Sequence, residues 1–431
     1  MQERWTLFLA RIPGSKLLTG GAILFASMTI VNAGNYAFNL ILGRWLGPAA
    51  FSDLSLIVTL MLVVSFMTTS LAQTAAKFAA VHTADNDLTR LAELRSWLGR
   101  AAWILGTLLL LILALGSPLW QRFFHTESIW PFVILGLGLP VFFAQGVDRG
   151  VLQGQTNFGI LALSYQAEMW VRLLGAVGLV ALGFSVNGAV GGITLSFIAT
   201  WLVARRVKAG LPQGNTLPQS ERREVTRFAV PVVAALIGQV LINNSDILIV
   251  KHFFERELAG HYAALALIGR IVFFATWSIV TVMFPIVAQR HRKGEPHRSL
   301  LAVSLGIVGG VSAGIIGATL VVPELIVRVL FGAAYLEIAP LLWLYAVATM
   351  LYALANVVIN YRLSIGNGGG SILAVMAGVA QVVGLWLFHA SLLQIVLVQV
   401  YIMALLFAAL LAWDTWLSVK DKDGQSAKAL R

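Results

Sequence analysis

The stretch VNAGNYAFNLILGRWLGP, Val31 to Pro48, sets Asn32, Asn35 and Asn39 three and four residues apart in an otherwise apolar run that ends near Arg44. Residues at that spacing share one face of a helix. In hydrocarbon an amide is costly unless it meets a partner, a bundle interior or water. The run therefore reads as a membrane-spanning helix with one polar stripe. Such a stripe either bridges neighbouring helices as packing or lines a cleft. Asn243, Asn244 and Asp246 repeat the pattern in a later apolar run, which favours the cleft.

Composition extends this reading to the whole chain. Of 431 residues, 58% are hydrophobic and 11% charged, and mean hydropathy is +0.84; a soluble domain carries about 25% charged residues. Cysteine is absent, which excludes disulfides, thiolate metal sites and a thiol nucleophile. A transmembrane helix needs about 20 apolar residues, and twelve such stretches can be laid along the chain: 17–43, 51–76, 101–118, 129–148, 157–181, 187–204, 228–250, 259–288, 300–321, 338–360, 371–389 and 393–413. The expected fold is an all-α polytopic membrane protein of two six-helix lobes around a central cavity. The lobes are placed at 1–208, led by an amphipathic segment lying on the membrane surface, and at 227–415, with a flexible cytoplasmic linker at 209–226 and a cytoplasmic tail at 416–431.

The net charge of +11 raises the question of a nucleic-acid partner. One set of alternate connections holds nearly all the basic residues, from Arg4, Arg11 and Lys16 through Arg90, Arg95, Arg100 and Arg149 to Lys420 and Lys422. The other set holds only Arg44, Arg122, Lys251, Arg256 and Arg328. The positive-inside rule then places both termini in the cytoplasm and accounts for the charge without nucleic acid, with attraction to anionic membrane lipids as a secondary effect.

The halves resemble each other. NLILGRWLGPAAF from Asn39 matches DILIVKHFFERELAGHY from Asp246, and RGVLQGQTNFG from Arg149 matches NYRLSIGNGGG from Asn360, with Gly154 opposite Gly366. Six spans per half orient both halves alike, an arrangement of alternating-access transporters. LSIGNGGG, Leu363 to Gly370, lacks the Lys-Ser/Thr ending of a P-loop and follows no strand, so it reads as a turn.

Arg270 and Arg172 lie inside predicted spans. Arg270 has no acidic residue one turn away and needs a partner, such as Asp246, or water. Arg172 follows Glu168 by four residues, the spacing of a helical ion pair. Asp246 and then Glu168 are the best-placed carboxylates for proton or sodium coupling. No nucleotide site is visible, leaving a gradient or the membrane potential, worth about 2.3 kcal/mol per charge per 100 mV, as the drive.

NLILGRWLGPAAF, DRGVLQGQTNFG, NNSDILIVKHFFERELAGHYAALALIGRI and VLFGAAYLEIAPLLWLYAVATMLYAL resemble, in order along nearly the whole chain, the polysaccharide-export branch of the multidrug/oligosaccharidyl-lipid/polysaccharide (MOP) transporter superfamily. The resemblance implies a flippase for undecaprenyl-pyrophosphate-linked oligosaccharides in the bacterial cytoplasmic membrane, without a cofactor, that works beside a polysaccharide polymerase or co-polymerase. For such a substrate, Arg270, Arg172, Arg44 and Lys77 are the candidates to meet the diphosphate, since a guanidinium stays charged and binds two oxygens at once. Asn32, Asn35, Tyr36, Asn39, Asn243, Asn244 and Asn360 are the candidates to meet the sugars. Three rivals remain: a cation-coupled multidrug antiporter of the same superfamily, which asks for acidic cavity residues; a membrane enzyme, which asks for a sizeable outer loop; and a non-transporting scaffold, which tolerates loss of Arg270.

Overall fold

A computed structural model describes residues 15–212 and 216–429, and the described residues form helices and turns without a strand. The lead-in before residue 15 lies outside them. The helices are α1 (Ser15–Ala84), α2 (Leu88–Leu115), the short α3 (Ser117–Phe124), α4 (Trp130–Gly154), α5 (Phe158–Leu179), α6 (Ser185–Ala204), α7 (Gln219–Phe253), α8 (Arg256–Gly269), α9 (Ile271–Arg292), α10 (Arg298–Val321), the short α11 (Pro323–Leu330), α12 (Leu342–Ser364), α13 (Gly369–Leu387) and α14 (Leu392–Ala429).

Among the described residues, nine stretches are long and apolar enough to cross a membrane. Two of them, Ile23–Ala84 with 62 residues and Phe158–Val207 with 50, are each long enough to cross twice. Each contains a glycine with positive φ that breaks its helix: Gly47 at φ 72°, followed by Pro48, and Gly183 at φ 90°. A side chain is strained in that region and glycine is not; proline adds the loss of an N–H. The opening stretch thus ends on the joint between two crossings. This is a multi-pass membrane protein.

The chain divides into two compact units, Met1–Ala234 and Ala235–Arg431. Each follows one plan. In the first, α2 leads through an eight-residue helix with proline in its first turn into α4, whose apolar window is 72% buried. In the second, α10 leads through another such helix toward α12, in a window 67% buried. Around α4 pack α1, α2 and α6; around α12 pack α8, α9, α10 and α14.

Helices outrun the hydropathy windows where polar residues continue them. α2 starts at Leu88, so Arg90, Arg95 and Arg100 are helical, and α4 continues to Gly154, so Arg149 is helical and buried rather than in a cytoplasmic connection. α7 begins at Gln219, inside the stretch expected as a linker, because QSERREV is rich in helix formers and Glu221 suits a first turn. The unit boundary accordingly falls within α7, and α14 carries the expected tail as helix to Ala429.

The repeat register also shifts. Both α4 and α12 end two residues before a left-handed position, Thr156 at φ 55° and Gly366 at φ 82°, so Thr156 and not Gly154 stands opposite Gly366. Gly154 has another task. With Gly146 and Gly150 it forms a ladder of small residues at four-residue spacing against the second half of α1: a Cβ at Gly154 would stand 2.5 Å from the Ala76 carbonyl oxygen, and one at Gly150 would collide with that of Ala72. Small residues of this kind let membrane helices approach closely. Gly150→Ala is therefore expected to lower stability by about 1–3 kcal/mol, whereas Gly159→Ala, where a Cβ meets nothing within 4 Å, leaves it near wild type. Thermal unfolding in detergent compares the two directly.

Candidate functional site

Among the buried polar groups of the described helices, one cluster in each unit joins several helices. In the second unit, Asp246 on α7 is fully buried and accepts three hydrogen bonds. Tyr262 on α8 and Tyr345 on α12 donate their hydroxyls to Oδ2 at 3.0 and 2.9 Å, and Arg270 Nη2 donates to Oδ1 at 3.0 Å. Gln399 on α14 completes the hub by donating to the Tyr262 hydroxyl at 2.6 Å. Arg270 occupies the joint between α8 and α9. The partner that its isolation in sequence demanded is Asp246, 24 residues upstream.

Beside this hub is a cavity of about 30 Å³ lined by Asn243, Arg270, Tyr345, Tyr352, Gln381 and Gln399. It has room for water but not for a sugar. Asn243 donates to the Gln239 carbonyl and to the Tyr352 hydroxyl, and Asn244 to the Val240 carbonyl. Asn360 likewise turns back on its own helix, to Asn356.

In the first unit, Glu168 on α5 is shared by two arginines. Its Oε2 lies 2.7 Å from Arg149 Nη1 on α4, and its Oε1 is bound by Arg172 Nη2, one turn along α5. Arg172 Nη1 also donates to the Asn35 side-chain oxygen on α1 at 3.2 Å. Arg149 is held by two further contacts: its Nε donates to Ser164 Oγ at 3.0 Å, and its guanidinium carbon lies 4.0 Å from the centre of the Tyr165 ring. The arginines are 9% and 8% exposed, yet Arg149 Nη2 and Arg172 Nε have no hydrogen-bond partner among the described residues. The cluster combines two cations with one carboxylate and keeps idle donors.

The remaining sequence candidates scatter. Arg44 and Asn32 are exposed, Tyr36 is half-buried, and Asn39 donates to the Asn35 carbonyl. The exposed ammonium of Lys77 stands 3.9 Å from the centre of the Phe228 ring, in the part of α7 that belongs to the first unit. Nearby, His82 Nε2 meets Glu221 Oε1 at 2.6 Å. Of the amide stripe, Asn35 is the one that reaches a charged group among the described residues. Sequence reasoning missed Arg149 by ending its span at Asp148; the adjacent opposite charges in DRG were the available signal, since Asp148 pairs with Arg95 and Arg149 turns to Glu168.

The profile of the family described as polysaccharide biosynthesis protein matches residues 41–340. The chain belongs to that family. An uncharacterized protein of Mycobacterium tuberculosis (strain H37Rv) is 27% identical over 268 residues, covering 58% of this chain and 59% of its own length. The fold of this family member is similar to that of solved transporters of the MOP superfamily. An inward-facing multidrug resistance MATE family transporter superposes with TM-score 0.75 at 13% identity, over 88% of this chain and 94% of its own. A MOP superfamily transporter from Pyrococcus furiosus, described by the reverse polarity of its binding pocket, superposes with TM-score 0.55 at 16% identity, over 94% and 95%.

The Asp246 hub makes a sharp thermodynamic expectation. Removing one partner of a buried ion pair costs about 3–5 kcal/mol, whereas removing both costs far less. Asp246→Asn and Arg270→Gln should each lower the unfolding midpoint strongly, and the double variant should recover at least half of the summed loss. Simple additivity in that double-mutant cycle would show that the pair does not hold the unit together.

Proposed function

We propose that this protein is a flippase that carries undecaprenyl-pyrophosphate-linked oligosaccharide from the cytoplasmic to the outer leaflet of the bacterial inner membrane by alternating access. The observation that carries the reading is the surplus of buried positive charge in the first unit, with idle guanidinium donors on Arg149 and Arg172. A diphosphate supplies the negative charge and the acceptor oxygens that such donors need. Membership of a polysaccharide biosynthesis family and the fold of MOP transporters support the same reading. Transport, rather than an enzymatic reaction, is the activity it assigns, with the termini in the cytoplasm and a polysaccharide polymerase or co-polymerase downstream.

Against a multidrug cation antiporter stands the state of the carboxylates. Asp148, Glu168, Asp246 and Asp414 lie in apolar helices, and each is bound to an arginine: Arg95, Arg149 with Arg172, Arg270, and Arg362. A cationic drug would find these acids already occupied.

In proteoliposomes, wild-type protein should flip a fluorescent undecaprenyl-pyrophosphate oligosaccharide. Arg149→Ala and Arg172→Ala should reduce the rate at least tenfold, and the corresponding lysine variants should retain part of it. Extrusion of cationic dyes under a proton or sodium gradient, without flipping, would replace this reading with the antiporter.

A further inference from the structure

Glu168 sits where a ligand of the arginines would sit. Each of its oxygens serves one guanidinium, Oε1 that of Arg172 and Oε2 that of Arg149, so the carboxylate bridges two helices as a phosphate group would. The bridge is incomplete. Arg149 Nη2 and Arg172 Nε stay buried without partners among the described residues, although an unsatisfied buried donor is destabilising. Glu168 lies near the middle of α5, about 15 Å from its start by helical rise, which is half the thickness of a hydrocarbon core. The arginines themselves are pinned from behind, Arg149 by Ser164 and Tyr165 and Arg172 by Asn35. Among the described residues, the hydrogen-bond donors on Glu168 are these two guanidinium groups.

We infer that Glu168 is a resident stand-in for a diphosphate: the ligand's diphosphate displaces the Glu168 carboxylate from between Arg149 and Arg172, and the released carboxylate takes up one proton. The ligand class rests on the flippase reading. A diphosphate offers more acceptor oxygens than a carboxylate and so reaches the idle Nη2 and Nε as well. Once separated from both cations in a low-dielectric interior, the carboxylate is unstable as an anion and takes a proton from solvent. The only bond made is the O–H of the Glu168 carboxylic acid, its proton coming from hydronium in bulk water; that bond breaks and the proton returns to water when Glu168 rebinds the arginines, so one proton enters with each diphosphate and leaves when Glu168 returns. The charged groups facing Glu168 are Arg149 from α4 and Arg172 from α5. α1 offers the neutral amide of Asn35, with Tyr36 next to it in sequence, and α6 has no ionisable side chain. The exchange couples ligand binding to proton uptake at the same pair of arginines.

The test is binding of inorganic pyrophosphate, and separately of farnesyl diphosphate, to the full-length protein in nanodiscs, by calorimetry across pH. Removing the internal competitor should tighten binding, so Glu168→Gln is expected to bind pyrophosphate at least tenfold more tightly than wild type. It should also lose the part of the pH dependence that wild type shows beyond the ligand's own ionisation. Arg149→Lys and Arg172→Lys should each weaken binding at least tenfold. Infrared difference spectra of wild type should show a protonated carboxylic acid appearing on pyrophosphate addition, which needs no variant to fold. Unchanged or weaker binding by folded Glu168→Gln, or no such band, overturns the inference even if the protein flips glycolipid. Tighter binding of pyrophosphate by Glu168→Gln with farnesyl diphosphate excluded upholds the inference and instead overturns the flippase.

Discussion

The constraint on which this structure depends is that a charge inside a bilayer must be answered. Arginine and carboxylate in hydrocarbon are each far from water, and neither is tolerated alone. The chain answers with pairs drawn from different helices: Arg95 with Asp148, Arg362 with Asp414, Arg270 with Asp246, and Arg149 with Glu168. Each pair ties helices that the hydrophobic effect, absent between helices in lipid, does not bring together. Where the answer is complete, as at Asp246 with its three donors, the cluster is a structural hub. Around Glu168 two arginines share one carboxylate, and two of their N–H groups have no partner among the described residues.

Helix packing acts alongside these charge pairs. Each unit is organised on one deeply buried helix, α4 or α12, with the other helices arranged around it. α4 earns that position through glycines 146, 150 and 154, whose missing side chains admit the backbone of α1. Arg149, one residue before the middle glycine, reaches α5 from the same helix, through Glu168 and Ser164.

Membership in a polysaccharide biosynthesis family on a MOP transporter fold gives these clusters their chemical context. Carboxylates bound by arginine occur in both units, and guanidinium donors without a partner among the described residues occur on Arg149 and Arg172 of the first. The amides contribute less than their number suggests, since Asn39, Asn244 and Asn360 bond back along their own helices.

The sequence by itself determined the membrane class, the all-helical architecture, the joint at Gly47 and Pro48, and the local pair Glu168 and Arg172. Those features follow from hydropathy, backbone preference and helical spacing, all of which act within a few residues. It also supplied the resemblance that the family profile bears out. Only the tertiary structure decided that Arg270 answers Asp246, that Arg149 shares Glu168 across 19 positions of chain, and that Asn35 is the one of its stripe that meets a charge among the described residues. Partners across helices depend on rotation and depth, which the spacing along one helix does not encode. Helix ends were likewise hidden, because hydropathy marks the oily slab while the hydrogen-bonded backbone of α2, α4 and α7 continues past it.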